Sequence, residues 1–166
     1  MHSKKSGDLI LLRLSLFCYF LMSASILMMS ADKLKQPAGI LFWGGLLLGS
    51  GMQLVLEFHR RAFFAGYKLN YRKMQKRRCG AWNFFSNPAA CWVDGILLLS
   101  LVATIAVLLL TKGRGYLPFV LVALTVFCIC LHCIVNGRNY FHVKNITRVR
   151  RALEHKKESE GVGKNE

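Results

Sequence analysis

Four long stretches of this sequence are almost without charge. Residues 9–29, 37–56, 92–111 and 117–135 hold only Arg13, Asp94 and His132 among all side chains of Lys, Arg, His, Asp and Glu. A soluble domain is hard to reconcile with this. With 54% hydrophobic residues in 166 and a formal net charge of +15, its apolar residues would have to fit one small core. The charges fall instead between the apolar stretches. An α-helix rises 1.5 Å per residue, so ~20 apolar residues cross the ~30 Å hydrocarbon layer of a bilayer. The expected fold class is therefore all-α: a polytopic membrane protein with four transmembrane helices.

Cysteine is missing where a disulfide framework would need it. The short connectors 30–36 and 112–116, which charge places outside the cell, contain none. Cys18, Cys128, Cys130 and Cys133 lie inside apolar stretches, and Cys79 and Cys91 flank a basic segment. Disulfides belong to the oxidising compartment, so these residues read as reduced thiols, mostly small apolar groups in the membrane. Four-helix thiol oxidoreductases, which keep paired cysteines in outward loops, are excluded on the same ground. Other catalytic signatures are missing as well. There is no nucleotide-binding glycine loop, and Gly49-Ser50-Gly51 lacks the spacing of a serine nucleophile elbow, with no base beside Ser50. No catalytic residue, cofactor or metal is expected.

The spacing of the apolar stretches predicts two antiparallel hairpins joined by a basic amphipathic cytoplasmic segment. In order, the chain divides into a cytoplasmic amino terminus (1–8), a first transmembrane hairpin (9–56) and a basic amphipathic loop (57–91). A second hairpin (92–135), a basic juxtamembrane helix (136–157) and a disordered tail (158–166) follow. A cleaved signal peptide competes for the first stretch, with Ser23-Ala24-Ser25 as a small-residue cleavage site. The apolar run continues through Ile26 to Met29, longer than a typical signal core.

Lysine and arginine set the expected orientation. The amino terminus, the central loop and the tail together carry 18 of the 23 basic residues, against Lys33, Lys35, Lys112 and Arg114 in the other connectors. Both termini are thus expected in the cytoplasm and the protein in the cell membrane. In the central loop, Phe63, Phe64, Tyr67, Tyr71 and Met74 fall within an arc of about 100° on a helical wheel. Arg61, Lys68, Arg72, Lys73, Lys76 and Arg77 cover most of the rest. An aromatic stripe with basic flanks suits a helix lying on the inner leaflet, each basic residue near anionic lipid contributing ~1 kcal/mol. The partners implied are anionic lipids of that leaflet and a membrane protein or second copy; no recognised fold supports nucleic-acid binding. Val143, Ile146, Val149 and Leu153 repeat a weaker apolar stripe in the tail.

Ionisable groups at membrane depth are the usual functional pointer. Arg13, Glu57, Asp94 and His132 all fall near the expected cytoplasmic boundary and are candidates for one polar layer, Arg13 pairing with Glu57 or Asp94. The bland alternative is snorkelling and helix capping. Gly45 and Gly49 form a GxxxG motif that nominates a close helix-packing face, inside the bundle or in a homodimer. Cys128, Cys130, His132 and Cys133 are dense in soft ligands. On a helix, however, they fall at about 0°, 200°, 40° and 140°, so only Cys128 and His132 share a face. An enzyme built on that pair is the weakest of three functional expectations.

Asn87-Pro88-Ala89 matches the signature of water channels. That family has two such motifs in a six-helix scaffold, whereas this chain has one motif and four apolar stretches; Asn87 as a helix cap with Pro88 in the first turn accounts for it. Small multidrug exporters also have four crossings but carry a buried glutamate in the first, where this chain has Arg13. The sequon Asn145-Ile146-Thr147 falls on the cytoplasmic side, where it stays unmodified. The leading expectation is a small non-enzymatic membrane protein, an accessory, assembly or regulatory subunit. A small dimeric transporter or channel using the polar layer is the alternative.

Overall fold

The computed structural model describes residues 3–31, 34–66 and 83–144. Within these, four long helices are present and no strand: α1 (Ser3–Met28), α2 (Lys35–Gly66), α3 (Pro88–Thr111) and α4 (Leu117–Val135). All four are long and apolar enough to cross a membrane. Residues 138–144 are helical again after a turn at Asn136-Gly137.

Helix ends follow local chemistry. Asn87, extended at φ −154°, caps α3 by accepting the Ala90 amide at 3.1 Å, and Pro88 supplies the preset backbone angle of the first turn. At the far end Lys112 turns left-handed (φ 52°), followed by Gly113 (φ 74°) and Gly115 (φ 86°). Glycine meets these angles without the Cβ clash that other residues suffer. Pro118 then stands in the first turn of α4.

Helix α2 runs on into the basic segment, where the sequence leads one to expect a separate amphipathic helix. Its apolar run ends at Leu56, yet the helix continues to Gly66. The residues between include no glycine or proline, and Glu57 bonds forward to Arg60 and Arg61 across the next turn, so nothing interrupts the backbone ladder.

Packing centres on α1, which touches α2 on one side and α4 on the other, while α4 carries α3. The core holds Leu12, Tyr19 and Met22 of α1 with Leu56 of α2 and Ile134 of α4. Matching residues run in opposite order along α1 and α2, as Gly45 lies against Met22, Gly49 against Tyr19 and Gln53 against Ser15. The glycines explain the closeness of this seam. A Cβ on Gly45 would fall 2.7 Å from the Cys18 carbonyl, and one on Gly49 2.9 Å from the Tyr19 ring. The outer faces are apolar: Ile40, Trp43 and Leu47 of α2, and Trp92, Leu99 and Leu110 of α3, are all exposed. In lipid such faces carry no penalty, because acyl chains are as apolar as leucine.

Candidate functional site

Polar side chains gather where the amino ends of α1 and α3 meet the carboxyl ends of α2 and α4. They form two clusters. The first lies between α3 and α4. Asp94, fully buried, accepts the His132 ring Nδ1 at 2.6 Å and the Phe85 backbone amide at 2.6 Å. Asn136, one turn beyond His132, donates its Nδ2 to Asp94 at 3.4 Å and to the His132 carbonyl at 3.1 Å, and accepts the Ser86 hydroxyl. Residues 83–87 fold over the pair: Asn87 donates to the Val135 carbonyl at 3.1 Å, and the Phe84 ring lies 4.4 Å from the His132 ring. To deliver its amide Phe85 adopts a left-handed φ of 54°, a cost a side-chain-bearing residue accepts only where its surroundings impose it. The result is a closed hydrogen-bonded pair whose carboxyl group is enclosed by donors. It has no face open to a substrate.

The second cluster joins α1, α2 and the 138–144 segment. Asp8 meets His59 at 2.8 Å. Glu57 is held by Arg60 and by Arg61, the latter at 2.9 Å. Gln53 donates to Ser15 at 2.7 Å and receives the Asn139 Nδ2 at its backbone carbonyl (2.9 Å) and side-chain oxygen (3.2 Å). His142 is buried against Phe63 and Phe64, with ring centroids 5.3 and 5.8 Å away, and its Nε2 has no hydrogen-bond partner among the described residues. Burial pushes its pKa below the ordinary histidine value; nearby Asp8 and Glu57 oppose that shift and Arg60 adds to it. Alongside this cluster, between α2 and α4 and reaching down to Tyr19 of α1, opens a cavity of about 580 Å³.

The four residues expected to share a layer are thus divided. Asp94 and His132 meet. Glu57 takes its partners from its own helix, and Arg13 lies exposed on α1, joined to neither. The expected pairing of Arg13 with Glu57 or Asp94 gives way because arginines three and four residues from Glu57 reach it at little conformational cost. Gly45 and Gly49 face α1. Cys128 and His132 are both buried on one face of α4, with the histidine turned to Asp94. Among the described residues no three His, Cys, Asp or Glu side chains cluster as a metal site would.

Of the expected basic-aromatic surface, Arg61, Phe63 and Phe64 lie on the last turns of α2. Tyr67, Lys68, Tyr71, Arg72, Lys73, Lys76 and Arg77 lie outside the described residues, as do the sequon and the tail from 145 onward. Sequence reasoning missed Asn136, Ser86, Gln53 and Asn139 as members of these clusters. The spacing of Asn136 four residues after His132 was the available signal, since it sets both on one helix face. No protein-family model, no curated protein and no solved structure matches the chain.

Proposed function

We propose that this chain is a non-enzymatic membrane protein of the cell membrane, an accessory, assembly or regulatory subunit that works by lateral helix contact and through a basic cytoplasmic face. Its two apolar halves act as antiparallel hairpins linked by the basic segment 57–91, with both termini in the cytoplasm. The lysine and arginine bias supports that orientation.

The observation that carries the functional reading is the closure of Asp94. A carrier exposes its intramembrane charges to a solute path near mid-bilayer, where they change partners in each cycle. Here the intramembrane acid is buried at one end of its helix and saturated by His132, Phe85 and Asn136. Deeper in, Thr104 bonds Thr125 at 2.9 Å, and Tyr19 lies 3.3 Å from Ser50, so the polar groups there tie helices together. These are the attachments of a scaffold.

Two measurements test this. In mild detergent extracts of its native membranes the chain migrates in a discrete complex heavier than its own 18.8 kDa, and site-specific crosslinkers at Arg61 and Phe64 capture a defined neighbour. Purified and sealed in vesicles, it leaves ion and solute permeability unchanged. A chain found alone in its membrane that nevertheless moves a solute in vesicles would sink the proposal.

A further inference from the structure

The cavity between α2 and α4 is polar at one end and apolar along its length. Gln53, Glu57, Arg138 and Asn139 line the end shared with the second polar cluster; Leu46, Ile129 and Ile134 line the rest. From Leu46 to Glu57 the groove follows α2 for about 16 Å. At about 580 Å³ it falls inside the ~300–1,000 Å³ range of small-ligand sites. We propose that this groove seats one acyl chain of an anionic phospholipid, its phosphate held by Arg138.

Charge selects the headgroup. Arg138 is exposed at the polar end and has no ion-pair partner among the described residues. The one carboxylate in the lining, Glu57, is already held by Arg60 and Arg61, which leaves Arg138 as the cation of the lining. Basic pockets between transmembrane helices on the cytoplasmic side are the recurrent setting for anionic headgroups. Chain burial alone gives little, since a lipid tail leaves surroundings as apolar as the groove; affinity therefore has to come from the headgroup contact and from packing.

A partner helix fits the groove less well. Close helix contacts use small residues, and no glycine of α2 lines the groove: Gly45 and Gly49 lie against α1, and Gly39, Gly44 and Gly51 are absent from its lining. The side chains that face the groove are long or polarisable ones, Leu46, Ile129, Cys130 and Cys133, which suit a flexible chain.

The test uses the full chain, purified in detergent, stripped of lipid and mixed with phosphatidylglycerol or phosphatidylcholine of identical acyl chains. Retention is read by native mass spectrometry. Phosphatidylglycerol is retained about tenfold over phosphatidylcholine, a difference of about 1.4 kcal/mol. Arg138→Gln reduces it to the phosphatidylcholine level, and Arg138→Lys preserves the preference. Cys133→Trp, which fills the groove, abolishes retention with Arg138 intact, while circular dichroism shows each variant folded. Equal retention of both lipids, or undiminished retention in Arg138→Gln and Cys133→Trp together, overturns the site. So does a lipid-free dimer that Cys133→Trp dissociates, which would assign the groove to a second copy. None of these outcomes depends on whether the chain serves a partner protein.

Discussion

Asp94 on α3 and His132 on α4 close on each other at 2.6 Å, with the carboxylate wholly shielded from solvent. In sequence they stand 38 positions apart, and each alone would be an expensive polar group near hydrocarbon. Together they fasten the two helices at one point. Removing one member leaves the other buried without its hydrogen-bond partner, which typically costs about 1–3 kcal/mol. His132→Ala and Asp94→Ala should therefore each lower the unfolding midpoint in detergent strongly, whereas the paired replacement by leucine loses less than the two single changes summed. Strict additivity of the two would show that the groups do not act as a pair.

The glycines of α2 divide into two kinds, and substitution should separate them by sign. Gly45→Ala drives a methyl to within 2.7 Å of a backbone oxygen of α1, and Gly49→Ala crowds the Tyr19 ring. Both should destabilise the α1–α2 seam. Gly44 and Gly51 have open space where a Cβ would go, so alanine there relieves backbone entropy and raises stability by about 0.5–1 kcal/mol. Chemical unfolding of the four variants decides it; a uniform response across all four would refute the close-approach account.

Acidification should weaken the end of the molecule that holds His142. Its folded pKa lies below the ordinary histidine value of 6.5, chiefly because burial disfavours the charged ring. The unfolded chain then binds a proton that the folded chain refuses, so stability falls as pH drops through 6.5 towards the folded pKa. Above 6.5 both states are neutral and the contribution is flat. His142→Phe keeps the packing against Phe63 and Phe64 and removes the titration. Melting curves of this variant should lose part of the acid sensitivity of the parent, and identical pH profiles would contradict the assignment.

Midway along α3 and α4, the Thr104–Thr125 contact is a modest tie. Interhelical hydrogen bonds inside membranes average about 0.6 kcal/mol, because the unfolded helices find partners too. A double-mutant cycle of Thr104→Val and Thr125→Val is expected to give a coupling of that size. A value near zero would reduce the contact to simple packing.

Much of the fold was legible in the sequence because a bilayer imposes a simple rule: a crossing needs ~20 apolar residues, and four such stretches stand apart. Helix at Arg61, Phe63 and Phe64 was legible from their spacing, but its continuity with α2 was not, since Glu57, His59, Arg60 and Arg61 end the apolar run. Helix formation outside lipid depends on propensity and on neighbouring-turn pairs, which hydropathy does not register. The site was partly legible. Asp94 and His132 stood out as charges at membrane depth, yet which charge meets which depends on the rotation of each helix about its axis. That rotation is set by small residues such as Gly45 and by uncharged partners such as Asn136 and Gln53, whose roles no charge census reveals.

Helix α2 spans 32 residues, about 48 Å, while the hydrocarbon it crosses is ~30 Å thick. Its final turns, bearing Arg60, Arg61, Phe63 and Phe64, therefore stand clear of the acyl region as a stiff post. That tip is braced: the His142 ring packs on Phe63 and Phe64, so the short segment after α4 buttresses the post from the side.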